Sequence, residues 1–256
     1  MLDGSAVEAT GLVKHFGDKR AVDGVDLTIP RGSFYGIAGP NGAGKTTSIR
    51  MLIGLLQPDA GSATIDGVEV WPDPTEAKSH LGFVPDNPVL FDRLSGREML
   101  EYAGLLRRMD HSVIESRTRE LLHVLDLEEA QDRMIGDYSL GMTKRIGLAV
   151  ALLHSPRVLI LDEPFGSLDP VNTKVMEEML QRYRQGGGTV VFSSHVMDVV
   201  ERLCDRLVVI EAGQVRAEGT VAELSKGESL QDAFVHLVGG RDLDDEELSW
   251  LSSSSN

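Results

Sequence analysis

The hydrophobic positions of this chain of 256 residues change their spacing several times. In the N-terminal part, apolar and polar side chains alternate over residues 6–16, 21–30 and 32–40, with glycine, proline and aspartate between the runs. Such alternation predicts short β-strands. Over residues 44–56 the apolar side chains recur every three or four positions, which predicts a helix. Over residues 57–70 the sequence again has the pattern of turns and a strand.

The segment from about residue 86 to 140 is different, because helical periodicity continues there without a strand-like run. Residues 95–109 and 112–127 are two amphipathic stretches. Ser95 and Glu98 have the spacing of a capping box, which predicts the start of the first helix. We interpret this segment as an inserted α-helical subdomain.

Strands and helices alternate after this insertion. The helical stretches are 143–154, 172–185 and 196–204, the strands are 157–164 and 188–195, and 205–219 has the pattern of a hairpin. This alternation predicts an α/β fold with a parallel sheet and helices on its faces. A C-terminal extension over 222–256 contains one short predicted helix, 230–238, and an acidic end that we expect to be disordered.

Charge and composition narrow the possible functions. The net charge of −15 disfavours nucleic acid as a partner. Cys204 is the single cysteine, so no internal disulfide is possible and a reducing compartment is expected. The N-terminus does not resemble a signal peptide, and no apolar run reaches the roughly 18 residues that a membrane span needs. If the protein serves a membrane, we expect it to do so from the aqueous side.

The strongest chemical motif is GPNGAGKTT, residues 39–47, which fits the phosphate-binding pattern G-x-x-x-x-G-K-[ST]. It follows an apolar strand and begins a helix, as that motif requires. Glycines let main-chain N–H groups surround a phosphate, a lysine supplies charge for the outer phosphates, and a threonine hydroxyl can ligate Mg²⁺. The candidate ATP-binding residues are Asn41, Gly42, Gly44, Lys45, Thr46 and Thr47, with Thr46 also a metal ligand.

A second motif ends the buried strand over residues 157–164. Asp162 is the candidate carboxylate for Mg²⁺, and Glu163 is placed to orient and deprotonate the attacking water. Two solvated acids at a strand end are the alternative, which the phosphate-binding motif upstream disfavours.

In this order the motifs resemble those of ATP-binding-cassette (ABC) transporter ATPases, over about residues 7–219. The resemblance implies a P-loop NTPase (RecA-like) core with a mainly parallel sheet, an N-terminal antiparallel β subdomain and an inserted α-helical subdomain. It places the ATPase domain at 5–221. In this family two ATPase subunits enclose two ATP molecules head to tail, so it also implies a homodimer, or a heterodimer with another ABC ATPase, and a separate membrane permease.

The resemblance identifies Ser139–Thr143 as the signature segment that contacts the ATP of the partner subunit. Ser139 and Gly141 match the phosphate-contacting positions, whereas Met142 and Thr143 depart from the usual Gly and Gln. The serine hydroxyl, free N–H groups and helix start that the chemistry needs remain. The alternative is an ordinary helix cap. Similar variants occur in the branch of the family that serves drug, antibiotic and polymer exporters. A second LSG, at 94–96, lies too early in the chain to be the signature segment, which in this family directly precedes the helix before the Asp162 strand.

Four further residues match family positions. Phe16 is expected to stack on adenine, although a core role is the alternative. His195 matches the histidine that meets the γ-phosphate. Asp169, in GSLDP, matches a residue that communicates across the dimer, with a simple turn as the alternative. Asp86 stands where Gln usually senses Mg²⁺ and the water; we treat it as a catalytic and metal-binding candidate, and a solvated turn acid is the alternative.

The resemblance favours the ATP-hydrolysing subunit of an ABC exporter, peripheral on the cytoplasmic face of the cell membrane, with ATP and Mg²⁺ as cofactors. An ABC importer subunit is the nearest alternative. A soluble ABC ATPase that acts on nucleic acid or ribosomes fits the acidic charge poorly. A nucleotide-gated module without turnover would bind nucleotide and release no phosphate. An apolar groove on the insertion would support docking of a membrane subunit.

Overall fold

The computed structural model describes residues 4–166 and 168–239. Its strands are β1 (Ser5–Phe16), β2 (Lys19–Pro30), β3 (Phe34–Ala38), β4 (Ala60–Ile65), β5 (Val68–Glu69), β6 (Leu81–Val84), β7 (Val158–Asp162), β8 (Thr189–Ser194), β9 (Arg206–Glu211) and β10 (Gln214–Thr220). The acidic end that we expect to be disordered, from residue 240 onward, lies outside the described residues.

The α-helices of this part of the chain are α1 (Lys45–Leu52), α2 (Thr75–Ser79), α3 (Gly96–Leu106), α4 (His111–Val124), α5 (Leu140–Leu152), α6 (Pro170–Gln185), α7 (Met197–Leu203), α8 (Val221–Ser225) and α9 (Leu230–Leu237). None of them is both long enough and apolar enough to cross a membrane.

Two sheets organise the fold. The larger has the strand order β10-β9-β3-β8-β7-β6, in which β10 is antiparallel to β9 and the other neighbours are parallel. The smaller is the antiparallel sheet β2-β1-β4-β5. The α/β architecture with a mainly parallel sheet and an N-terminal antiparallel subdomain, predicted above, is therefore confirmed.

Strand β7 shows why its sequence is almost continuously apolar. Leu159 and Leu161 pack into the core below α5 and α6, whereas Val158 and Ile160 pack into the core shared with α1 and the smaller sheet. A parallel strand that is covered on both faces has no solvent-facing positions, so it does not alternate. Because both faces of β7 are packed, the position of its last residue, Asp162, at the edge of the sheet is fixed.

Between β6 and β7 the chain is helical, with α3 packed on α4 and both near α5. Helix α3 begins with the predicted capping box: the Ser95 hydroxyl accepts from the Glu98 N–H at 3.2 Å, and the Glu98 carboxylate accepts from the Ser95 N–H at 2.8 Å. The second LSG therefore begins an insertion helix.

One predicted helix is too long. The periodicity extends to Leu56, but α1 ends at Leu52. Gly54 then adopts φ +69°, and a β-carbon there would collide with Pro74. Left-handed backbone of this kind favours glycine and ends helices. The apolar residues after Leu52 are thus a packed turn.

Candidate functional site

The candidate site lies where three parallel strands end side by side. β3 leads into the phosphate-binding motif, β7 ends at Asp162, and β8 ends at Ser194, directly before His195. Because β3, β8 and β7 are neighbours in the sheet, their carboxyl ends bring these groups to one edge. Ligands of open α/β sheets bind at that edge.

The loop at residues 39–44 has the shape that its glycines predict. Gly44, which directly precedes α1, has φ +110°, and a β-carbon there would lie 2.7 Å from the Ala21 carbonyl oxygen. Lys45 folds back so that its ammonium donates to the carbonyls of Gly39, at 2.7 Å, and Pro40, at 3.3 Å. The loop thus curls around a cation at the start of a helix, which is a suitable place for a phosphate.

Burial lowers the pKa of Lys45, and the nearby carboxylates of Glu163 and Asp162 partly oppose that shift. The Lys45 Nζ lies 3.8 Å from a Glu163 oxygen. The direction of the shift means that the protein environment disfavours the charged ammonium relative to water.

Asp162 is a buried carboxylate with two hydroxyl partners. The Thr46 hydroxyl donates to it at 3.0 Å, and the Ser193 hydroxyl donates to it at 2.6 Å. Asp162 and Ser193 are register partners on β7 and β8. Asp162 on β7 is therefore joined by hydrogen bonds to Thr46 on α1 and to Ser193 on β8.

Glu163 has left-handed backbone, with φ +47°. For a residue other than glycine this geometry costs on the order of 1 kcal/mol and often marks functional sites. Its N–H donates to the Ser193 hydroxyl at 3.0 Å, and its carbonyl accepts from the Lys144 ammonium at 3.0 Å. The Glu163 carboxylate lies 2.9 Å from the His195 Nδ1. The candidate catalytic residue Glu163 is thus held through its main chain by Ser193 and Lys144 and through its carboxylate by the His195 ring.

A pocket of about 390 Å³ collects most of the predicted site residues. Its lining includes Phe16, Asn41, Gly42, Gly44, Lys45, Thr46, Thr47, Asp86, Asp162 and Glu163. The Phe16 side chain is 52% exposed, so the alternative that it belongs to the core is wrong. The Asp86 carboxylate also accepts from Lys144 at 3.3 Å, so Asp86 is not simply a solvated turn acid.

The oxygen atoms in this pocket fit magnesium chemically. Thr46 offers a hydroxyl, and Asp162 and Asp86 offer carboxylates, all hard oxygen donors of the kind that Mg²⁺ prefers. Among the described residues, no three acidic, histidine or cysteine side chains cluster closely enough to hold a metal. Magnesium would therefore need oxygens from a bound phosphate as well, as is usual for this ion.

Four predicted residues do not line the pocket: His195, which contacts Glu163, and Ser139, Gly141 and Asp169. Ser139 caps α5 by accepting from the Met142 N–H at 3.3 Å, so the capping role that was the alternative is present. Asp169 caps α6 by accepting from the N–H groups of Val171 and Asn172, and the main-chain bond from Asn172 is the first cause of its lowered pKa. Asp169 therefore caps α6, and its role across the dimer stays a prediction. Ser167, within GSLDP, lies outside the described residues.

Gly141, in the signature segment, lies beside Asn172, near the start of α6. A β-carbon on Gly141 would lie 3.0 Å from the side-chain nitrogen of Asn172, and the Asn172 side-chain amide also donates to Asp169. The signature segment and the start of α6 thus form one surface, separate from the pocket of the same chain.

Sequence reasoning missed two residues that hold the site. Ser193 binds both Asp162 and the Glu163 main chain, and Lys144 binds Glu163, Gly166 and Asp86. A serine inside an apolar strand gives no usable signal. The adjacent Lys144 and Arg145 within the apolar part of α5 were the visible irregularity, because lysine and arginine are rarely fully buried.

A phosphate-binding loop, a buried aspartate joined to its threonine, and a carboxylate at the next position define a P-loop nucleotide hydrolase. A family model described as ABC transporter matches residues 22–166. The daunorubicin resistance ATP-binding protein DrrA2 of Streptomyces coeruleorubidus is 37% identical over 93% of this chain and 71% of the relative. A Nod factor export ATP-binding protein of Burkholderia lata is 39% identical over 87% of this chain and 73% of the relative.

Solved structures agree with these sequence relatives. The ATP-binding subunit of an ABC transporter superimposes with a TM-score of 0.86 at 28% identity, over 91% of this chain and 99% of that chain. An ATP-binding cassette solved as a dimer with ADP and Pi gives 0.77 at 25% identity, over 84% of this chain and 98% of that chain. The chain belongs to the ABC transporter family, and it is an ATPase subunit of that family, as its motifs predict.

Proposed function

We propose that this chain powers an exporter by closing as a head-to-tail dimer around two Mg-ATP molecules. One observation carries the proposal: Ser139 and Gly141 lie on a surface apart from the pocket of their own chain. A helix start whose serine hydroxyl accepts from the helix and can still donate its own O–H suits the outer phosphate of a nucleotide that is held by a second subunit. The sandwich can be a homodimer or a heterodimer with another ABC ATPase.

At the pocket of one chain, the proposed function gives separate roles to the phosphate-binding loop and to the Glu163–His195 pair. Lys45 and the loop N–H groups hold the phosphates, and Asn41, Gly42, Gly44 and Thr47 shape that loop. Glu163 accepts the proton of the attacking water, and His195, in contact with Glu163, orients that carboxylate and meets the γ-phosphate. Positioning of the reactants and electrostatic stabilisation together supply almost all of the catalysis in phosphoryl transfer.

Magnesium fits the oxygen-lined base of the pocket. Thr46 and Asp162 would hold the ion there, together with Asp86 or a water that Asp86 orients. When bound, Mg²⁺ neutralises charge on the phosphates during transfer. The half-exposed Phe16, which also lines the pocket, would stack on the adenine ring.

Asp169 would act across the dimer. It is bonded to Asn172, which is next to Gly141, so the start of α6 and the signature segment form one surface. A partner's phosphate at that surface would therefore change the turn that follows Glu163 in this chain.

Export as the direction of transport rests on the named relatives. The two sequence relatives described above carry drug resistance and Nod factor export in their names. The signature variant and the acidic Asp86 favour the same branch over an importer.

A groove beside the insertion suits a membrane permease, which would hold the chain on the cytoplasmic face of the membrane. It measures about 200 Å³ and is lined by apolar and cationic side chains: Ile53, Leu55, Lys78, Leu81, Phe83, Arg107, Val150 and Ala151. Leu105 and Leu106, at the end of α3, are exposed next to it in sequence. This combination of apolar and positively charged lining residues fits an amphipathic cytoplasmic helix that also carries acidic residues.

We expect Leu106→Asp to reduce sedimentation of the protein with membranes of the source cell by about tenfold, because it puts a charge on the apolar docking surface. Phosphate release without membranes should be unchanged. Gln181→Asp, on the exposed side of α6, introduces the same charge elsewhere and should sediment like wild type. Equal sedimentation of both variants would contradict this docking surface.

The dimer itself is tested by two matched serine variants. Ser139→Ala and Ser95→Ala each remove one helix cap, at 3.3 and 3.2 Å, so each should lower the free energy of unfolding by about 1 kcal/mol. Only Ser139→Ala should also lower kcat for phosphate release, by about tenfold or more, because it loses a bond to the partner's phosphate. Wild-type specific activity should rise with protein concentration. Equal kcat values for the two variants would argue against the proposed sandwich.

A further inference from the structure

Lys144 is a buried cation that the proposed mechanism does not use. It lies on α5, five positions after Ser139, and only 2% of it is exposed. An ammonium has three N–H donors. Lys144 donates to the Glu163 carbonyl at 3.0 Å, the Gly166 carbonyl at 2.9 Å and the Asp86 carboxylate at 3.3 Å. Every donor therefore has an acceptor within the candidate site or its adjoining turn.

The two carbonyls belong to the two ends of one turn. The Gly166 N–H also donates to the Glu163 carbonyl, at 3.2 Å, which closes that turn. Glu163 has the left-handed backbone noted above, so its conformation depends on outside contacts. Ser193 holds its N–H from one side, and Lys144 holds its carbonyl from the other.

The next residue on the same helix provides a contrast. Arg145 is also buried, and its guanidinium donates to the carbonyls of Leu125, at 2.6 Å, and Asp126, at 3.0 Å. Those carbonyls follow α4 in the insertion, away from the pocket. Two adjacent buried cations thus make similar main-chain bonds, one toward the ATP site and one toward the insertion.

We propose that Lys144 is a positioning residue for the ATP site of its own chain, because it fixes the turn from Glu163 to Gly166 and the Asp86 carboxylate against α5. The inference rests on the proposed function, since it takes Glu163 as the base. It adds that one helix serves two sites: Ser139 faces the partner's ATP, and Lys144 sets the geometry at the chain's own ATP.

Lys144→Met should lower kcat for phosphate release by about tenfold or more, because a displacement of about 1 Å at a reacting group can cost 10²-fold. The KM for ATP should stay within about twofold of wild type, since the phosphate loop is untouched. Arg145→Met is the matched control, which removes a buried cation from the same helix and should keep the wild-type kcat per folded molecule. Should the Met variant not fold, Lys144→Gln, which keeps a donor, replaces it.

A second comparison separates this role from damage to the signature segment. In the Glu163→Gln background, adding Lys144→Met should not change the ATP concentration at which half of the protein has dimerised. The residual turnover, followed with γ-labelled ATP, should fall by clearly less than it does in the wild-type background, because most of the effect of Lys144 acts through Glu163. Loss of dimerisation, an additive loss of turnover, or a kcat equal to that of Arg145→Met would each overturn the inference. If Glu163→Gln alone does not dimerise and wild type releases no phosphate, the proposed function is what fails.

Discussion

Glu163→Gln is expected to lower kcat for ATP hydrolysis by about 10³-fold, within the range typical for loss of a general base. The amide keeps the size of the side chain and can still contact His195, so the pocket should keep its shape. ATP binding should therefore persist. Because the nucleotide is no longer hydrolysed, the closed dimer should accumulate in Mg-ATP.

The measurement combines phosphate release with light scattering. Mg-ATP should double the scattering mass of the variant, while wild type returns to monomer as ATP is consumed. Glu178→Gln, on the exposed side of α6, removes one carboxylate far from the pocket and should behave like wild type. A Glu163→Gln variant that turns over at half the wild-type rate would show that the base lies elsewhere.

The residues closest to this reaction were predictable because each motif is continuous in sequence. The loop at 39–47 needs only its glycines and the following helix to take shape, and Asp162 and Glu163 simply end a strand. Parallel strands end at one edge, so the two motifs had to meet there. Local sequence and sheet topology together predict this part of the site.

Contacts between distant segments were not predictable in the same way. The bond from Ser193 to Asp162 depends on the register of β8 against β7, which no local pattern reports. Helix α1 ends before the left-handed Gly54, which is a local stop signal, and only the close approach of Pro74 to that glycine is a tertiary contact. The buried position of Lys144 likewise follows from how α5 crosses the turn after β7.

Three elements of the described chain were missed: helix α2, strand β6 and helix α8. Strand β6 (Leu81–Val84) has only four residues and is buried, so its apolar run resembles any short core segment. Helix α8 did leave a signal, since Thr220 and Glu223 have the capping-box spacing and form both bonds of that motif. A capping-box search there would have found its start.

Lys45→Ala should weaken ATP binding by about 100-fold, close to 2.7 kcal/mol, because it removes charge-assisted bonds to the outer phosphates. The free energy of unfolding should change by less than about 1 kcal/mol, since in the free protein the ammonium mainly donates to two carbonyls of its own loop. Titration with a fluorescent ATP analogue and urea unfolding measure the two quantities.

An electrostatic effect explains why Lys45→Ala should change ATP affinity much more than the free energy of unfolding. Burial lowers the pKa of Lys45, so its charge is disfavoured before a ligand arrives, and an incoming phosphate relieves that penalty. Lys14→Ala is the control, because Lys14 pairs with Asp59 on the smaller sheet and should leave ATP affinity unchanged. If Lys45→Ala lost stability and kept its ATP affinity, the lysine would be holding the loop rather than the phosphate. A binding residue should show the reverse pattern, because its favourable interactions are completed only when the ligand is present.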